Sequence, residues 1–214
     1  MKQVVLAVVV LTAPVFASCR SAPPQQSAPI VQPGSPGEST RVLTTEHAES
    51  MTRPGVSAAD VKFMQGMIGH HSQAVEMVEL LKTRTADRGL HQLGERIEVS
   101  QRDEIKLMEA WLRDRGQEVP GPHAMHMHGA TLMPGMLSAE EMAQLAAAKD
   151  AEFDRLFLTG MIKHHGGALS MVQELFASPG AANDTDIYAF ASDVEADQRM
   201  EINRMSGMLK ERQK

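Results

Sequence analysis

Phe63-Met64-Gln65-Gly66-Met67-Ile68-Gly69-His70-His71-Ser72-Gln73-Ala74-Val75-Glu76-Met77-Val78 is the stretch that decides the fold. Its pattern returns ninety-four residues later as Phe157-Leu158-Thr159-Gly160-Met161-Ile162-Lys163-His164-His165-Gly166-Gly167-Ala168-Leu169-Ser170-Met171-Val172. Phe, Gly-Met-Ile, His-His, Ala and Met-Val recur in register. Self-similarity at a fixed offset is the mark of one structural unit used twice.

Phe63, Met67, His70, Ala74, Met77, Val78 and Leu81 follow a helical period. At about 100° per residue, His70 falls at the centre of this stripe and His71 toward its edge. Met67 lies one turn before the pair and Met77 two turns after His70. Ser57 and Asp60 supply a helix start, as N-cap and N3 residues. The helix is expected to end near Thr83, with a turn at Asp87-Arg88-Gly89. A second helix is predicted over residues 90–115, with Leu93, Ile97, Ile105, Met108 and Leu112 on its apolar face. Gln101 and Glu104 share that face. A short connection makes the two helices antiparallel, which brings Gln101 and Glu104 level with His70 and His71.

Ser138-Ala139-Glu140-Glu141 starts the second repeat as a capping box. The pattern leaves open whether residues 138–149 form a separate short helix or the beginning of one long one. Ser178-Pro179-Gly180 ends the helix of the second His pair. The last helix, residues 186–210, repeats Gln101, Glu104, Met108 and Leu112 as Gln198, Glu201, Met205 and Leu209, at an offset of ninety-seven. The whole hairpin recurs, not only the His-His motif. Neither hairpin buries its stripe alone, so the two are expected to pack as an all-α, ferritin-like four-helix bundle.

Between the repeats, residues 118–137 break the pattern with Pro120, Gly121-Pro122 and Pro134-Gly135. The loop carries His123, Met125, His126, Met127 and His128, then Met133 and Met136. A Pro/Gly-flanked loop offers little core for Met to fill. A His/Met mixture is instead what soft metals select, thioethers favouring Cu(I) and imidazoles accepting Cu(I), Cu(II) or Zn. It is too rich in Met for an ordinary zinc site.

The chain ends away from the repeats read differently. Residues 1–19 have Lys2, an apolar run from Val4 to Leu11 and a small-residue region, the pattern of a secretory signal too short to span a membrane. The sole cysteine, Cys19, closes that segment in a lipobox-like Val15-Phe16-Ala17-Ser18-Cys19. Lipidation at Cys19 is expected, with ordinary cleavage after Ala17 as the alternative. Export to the periplasm or outer cell surface follows in either case. Residues 20–56 are Pro-, Ser-, Gly- and Gln-rich and read as a disordered linker; the bundle takes up residues 57–212. One cysteine in 214 residues rules out a disulfide framework. A net charge of −6 offers nothing to nucleic acid, and the expected partners are a metal ion and, through a lipid, a membrane.

Gly-Met-Ile-x-His-His-x-x-Ala-x-x-Met followed by Gln-Arg-x-Glu-Ile-x-x-Met, twice, with Pro134-Gly135-Met136 before the second copy, resembles the domain of unknown function 305 family. The resemblance covers about residues 58–209. It implies a ferritin-like four-helix bundle and, in some exported members, copper binding through Met and His.

Three functions are weighed. The first is copper binding by Met67, His70, His71, Met161, His164 and His165, with Met77 and Met171 in reserve, Gln101, Glu104, Gln198 and Glu201 in support, and the loop as a second class of site. The second is a di-iron enzyme, disfavoured because no Glu-x-x-His occurs at the His pairs. The third is a non-metal module of the envelope in which the histidines are core residues paired to Glu104 and Glu201. No nucleophile–base pair or phosphate loop points to an enzyme. Copper held by imidazole is expected to be released as pH falls through about 6.5, the reference pKa of His.

Overall fold

The computed structural model describes residues 30–32, 39–44, 55–121 and 132–212. The signal region with Cys19, and the loop residues His123, Met125, His126, Met127 and His128, lie outside these. Two units are distinguished, Met1–Met51 and Thr52–Lys214. In the first, strands β1 (Ile30–Gln32) and β2 (Arg41–Leu43) pair antiparallel, Val31 opposite Val42. This short pairing falls inside the stretch expected to be featureless linker. Its β-branched residues suit an extended backbone better than the surrounding Pro and Gly suggested.

The second unit is all-α. Helix α1 spans Ala58–Arg84, α2 Arg88–Asp114, α3 Ala139–Ala147, α4 Asp150–Ala177 and α5 Thr185–Glu211. Both predicted capping boxes form. Ser57 accepts from the Asp60 amide while Asp60 accepts from that of Ser57, and Ser138 and Glu141 do the same. The question left open in the second repeat resolves as two helices. The chain breaks at Ala148-Lys149, both extended, before α4 begins. Leu145 and Ala148 thereby join Phe153 and Phe157 in one buried cluster. Among the described residues no helix is long and apolar enough to cross a membrane.

The hairpins α1–α2 and α4–α5 pack through α1 against α4. Met77 of α1 reaches Gly160 of α4, and Met171 of α4 reaches Gly66 of α1, so the two helices run antiparallel. The core divides into two clusters. One holds Leu81, Leu90, Leu93, Ile97, Phe153 and Phe157. The other holds Phe63, Met108, Trp111, Leu112, Val172 and Ile187. Each such side chain, fully buried, contributes roughly 1.5–3 kcal/mol. The four histidines belong to neither apolar cluster.

The outer helices exchange clamps at their ends. Arg115, just past α2, bonds Asp184, the N-cap of α5, at 2.9 Å. Arg212, just past α5, bonds Asp87, the N-cap of α2. Arg115 also lies over the Trp111 ring, 4.4 Å from its centroid.

The segment before α3 is pressed onto the bundle. Gln73 of α1 donates to the Leu137 carbonyl at 2.9 Å and accepts from the Leu137 amide at 2.8 Å. On the other side, Pro134 and Gly135 lie so close to Gly167 of α4 that a Cβ there would come within 1.8 Å of the Pro134 carbonyl oxygen. Gly135 itself has φ +76°, a conformation that suits glycine.

Candidate metal centre

His70, His71, His164 and His165 are all at most 1% exposed. Their burial follows from position. Each pair sits in the middle turn of a central helix, with His70 and His164 turned toward the other hairpin, His71 and His165 toward the outer helix of their own, and Ala74 and Ala168 one turn on. The His70 and His164 rings lie against each other, centroids 3.8 Å apart and planes inclined by 37°. Within each pair the rings are 6.3 Å apart.

A buried polar atom needs a partner, and each imidazole finds one for Nε2. His71 Nε2 meets Glu104 Oε2 at 2.5 Å, and His165 Nε2 meets Glu201 Oε2 at 2.5 Å. The outer helices therefore present their carboxylates at the level that the antiparallel hairpin predicts. Ser100 donates to the second oxygen of Glu104 at 3.1 Å. The inner pair uses backbone instead. His70 Nε2 is 3.0 Å from the Pro134 carbonyl, and His164 Nε2 is 2.9 Å from the carbonyl of His70. Nε2 donates in both of these bonds to carbonyl oxygens, which leaves Nδ1 as the lone-pair nitrogen. Nδ1 of His70, His71 and His165 is buried and has no hydrogen-bond partner.

Burial disfavours the charged imidazole, and the neighbouring rings add to the effect. Together they lower the pKa of His70 to about 3, against a bond to Pro134 that raises it. Burial, then His70, His165 and His71, hold His164 well below the ordinary value. The reference pKa of about 6.5, on which the expected acid release of copper rests, thus does not apply to these two. They remain neutral, and so remain available as ligands, into distinctly acid solution.

The thioethers surround this layer without all belonging to it. Met67 and Met161 are fully buried one turn before their His pairs. Met77 and Met171 have crossed to the opposite repeat, onto Gly160 and Gly66. Met136 is buried beside Leu137, and Met133 is half-buried against Gly66. Gln101 and Gln198 are buried on the outer helices, Gln101 with its Oε1 unpartnered. Among the described residues no three His, Cys, Asp or Glu side chains form a group able to hold a metal ion.

Pro134, Gln73 and Gly167 carry parts of this site that the sequence reading did not assign. Gly167 was legible in principle: it stands where the first repeat has Gln73, and loss of a side chain at a matched position signals a close approach. Asp197 is a further such residue. It occupies the place of Ser100 and faces Glu104, Glu201 and Asp193. Burial first, then those charges, push its carboxyl pKa up.

A helical bundle with a buried layer of paired histidines, carboxylate-tied and flanked by methionines, is the class of protein defined here. The chain belongs to the domain of unknown function 305 family, whose sequence profile matches residues 60–211. Its fold is similar to that of a fragment from Deinococcus radiodurans in the same family, 30% identical, with a TM-score of 0.62 over 74% of this chain and 99% of that one. A family member from Streptomyces coelicolor is 28% identical, with a TM-score of 0.61 over 72% and 93%. CopM in its Cu(II)-bound form is 28% identical, with a TM-score of 0.57 over 71% and 96%. CopM has also been solved with Cu(I) and with silver. A protein of Acanthamoeba polyphaga mimivirus is 39% identical over 56 residues; the match covers 26% of this chain and 37% of that protein.

Proposed function

We propose that this chain is an exported copper-binding protein that sequesters or passes on Cu(I) and Cu(II) in the cell envelope, without being an enzyme. The observation that carries the reading is the set of buried, unpartnered Nδ1 atoms on His70, His71 and His165. Metal-ligating histidines almost always tie their other ring nitrogen to a carboxylate or a backbone carbonyl, which fixes the ring and raises its basicity. All four imidazoles here are tied in that way at Nε2. An orphan nitrogen in a core otherwise costs about 1–3 kcal/mol with no return. The donor set of imidazole and thioether is the one that suits copper. His70, His71 and His165 would each offer Nδ1 as a ligand, not as one three-residue group, with Met67 and Met161 as soft donors one turn away and Glu104 and Glu201 orienting the rings of His71 and His165. Bound copper would supply redox-active soft-acid chemistry. The likeness to CopM, which has been solved with copper and silver, supports the choice of metal. Export and lipid attachment at Cys19 rest on the sequence of residues 1–19 alone.

The reading in which the histidines are core residues draws on the His71–Glu104 and His165–Glu201 bonds and on the lack of a three-residue His/Cys/Asp/Glu group among the described residues. One experiment separates the two. The purified chain is titrated with Cu(I) and Cu(II), with elemental analysis, beside a variant carrying His70→Gln and His164→Gln. Glutamine keeps a donor for the two carbonyls and removes the imidazole. Lower stoichiometry with an unchanged circular dichroism spectrum supports copper binding by the bundle; equal stoichiometry leaves the histidines as core residues.

A further inference from the structure

The two repeats treat one matched aspartate differently. Asp60 stands near the start of α1 and Asp154, ninety-four residues on, near the start of α4. Both are buried, Asp60 1% and Asp154 7% exposed. Asp60 takes a backbone amide on each oxygen. Ser57 donates to Oδ2 at 2.9 Å, and Ala182, from the α4–α5 turn, donates to Oδ1 at 2.8 Å. Ala182 holds φ +54° in delivering that amide, a conformation uncommon outside glycine. Asp154 receives neither bond. Ala151, at the place of Ser57, lies inside α4 rather than ahead of it. The offset between the repeats grows from ninety-four to ninety-seven across the turns, so the α1–α2 turn, residues 85–87, is the shorter, and it sends no amide to Asp154. Asp154 Oδ1 is buried without a hydrogen-bond partner, and Oδ2 has Arg212 Nε at 3.7 Å, beyond bonding reach. Where the longer turn lies, Ala181 and Ala182 pack against the core. At the matched place in the other repeat a cavity of about 590 Å³ opens, with Asp154 on its wall.

We infer that this cavity binds a small organic cation, a guanidinium carried on a short apolar body. The bonds made to Asp60 define what Asp154 lacks: two N–H groups, one for each carboxylate oxygen. A guanidinium presents two parallel N–H groups in a fork that matches a carboxylate, and its charge strengthens both bonds. An ammonium is a point charge and matches less well. Ala151, Met208 and Leu209 supply an apolar wall for the body of the ligand. The charged part of the wall favours a cation, because Asp87, Asp154 and Glu211 stand against Arg155 and Arg212. Arg212 is already committed, to Asp87 and, at 3.0 Å, to the Met208 carbonyl. Arg155 is exposed to solvent. The site lies at the helix ends and uses no histidine, so it stands or falls apart from the copper reading.

Butylguanidinium is the probe, with butylammonium and uncharged butylurea beside it. The metal-free full chain, its methionine methyl groups labelled with ¹³C, is titrated with each near neutral pH. The Met208 signal is assigned from Met208→Leu, a near-isosteric exchange that proteins tolerate. Butylguanidinium is expected to shift the Met208 signal saturably and to leave that of Met77, fully buried in the core, in place. Butylammonium is expected to bind about ten-fold more weakly, and butylurea not at all. Asp154→Asn keeps the shape of the side chain and removes its charge, and is expected to weaken binding about ten-fold or more. Ala151→Leu leaves the carboxylate in place, fills the cavity from its wall and is expected to abolish binding. It decides the matter if circular dichroism shows the asparagine variant to be unfolded. An unmoved Met208 signal, butylammonium or butylurea binding as tightly as butylguanidinium, or an unchanged affinity in either folded variant overturns the site.

Discussion

Gly167 shows how much one missing side chain positions. The Pro134 carbonyl that receives His70 sits where a Cβ on residue 167 would have to go. Gly167→Ala is therefore expected to push the Pro134-Gly135 turn off α4 and to weaken the His70 bond. Overpacking of this kind costs about 1–3 kcal/mol. Urea unfolding of the parent and the variant measures it; a change in unfolding free energy under a few tenths of a kcal/mol would mean that the turn relocates freely. At the same scale, the depressed pKa values of His70 and His164 set an acid limit. An unfolded histidine takes up a proton near 6.5, whereas the folded His70 does so only near 3. Between those values the unfolded chain binds more protons, so stability is present above about 6.5 and is lost as pH falls below it. For His70 the loss runs to about pH 3, at about 1.4 kcal/mol per pH unit, and His164 adds to it in the same direction. Thermal unfolding of the metal-free chain from pH 7 to pH 4 is expected to show a steadily falling midpoint, and one shallower in His70→Gln/His164→Gln.

Among the elements, α2 and α5 match each other down to their carboxylates, with one exception. Ser100 lies four residues before Glu104 and donates to it; Asp197 lies four residues before Glu201 and is repelled by it. Like charges at this helical spacing cost a few tenths of a kcal/mol each, and Asp193 and Glu104 add to the repulsion. Copying the first repeat with Asp197→Ser is expected to stabilise the bundle by roughly 0.5–1 kcal/mol at pH 7. The gain should shrink in acid, because Asp197, with its raised pKa, protonates early. Chemical denaturation at pH 7 and pH 4.5 checks both halves of that expectation. The helices, their caps and the meeting of Glu104 with His71 follow from periodicity and hairpin geometry, and so were legible in the sequence. The capping boxes at Ser57 and Ser138 were equally plain, since a cap is a local event three residues long. The role of Pro134 was not. It depends on where a loop comes to rest across α1 and α4, and no local pattern encodes that. Periodicity puts Met77 and Met171 on their helices but does not set them across from the opposite repeat, because which glycine each one meets depends on how α1 crosses α4. The break before α4 has no local signature for a similar reason: Leu145 and Phe153 suit one long helix as well as two.

For the whole molecule, the ends of the outer helices are as telling as its centre. Arg115 with Asp184 and Arg212 with Asp87 are the same contact made once at each end, each arginine answering the N-cap of the other hairpin. The Arg115 pair is the more buried. Arg115→Met leaves Asp184 with its helix amides but without its counter-charge, and a cost of about 1–3 kcal/mol is expected. Arg212→Met, at the more exposed end, is expected to cost less. A double-mutant comparison by denaturation shows whether the two ends act independently, and additive losses are expected because opposite ends of the bundle share no partner.

The Leu137 amide reports on more than its own stretch of chain. It belongs to no helix, yet its hydrogen is held by the side chain of Gln73 from α1 rather than by its own neighbours in the chain. Its exchange with deuterium is therefore governed by separation of that segment from the bundle, not by fraying of a local ladder. In hydrogen-exchange mass spectrometry a peptide containing Leu137 is expected to retain protection comparable with the middle of α1. Replacing Gln73 by Leu should abolish that protection while leaving α1 itself slow to exchange. A single amide then serves as a clock for how often the peptide above His70 lifts away, and hence for how often the buried imidazoles meet the solvent.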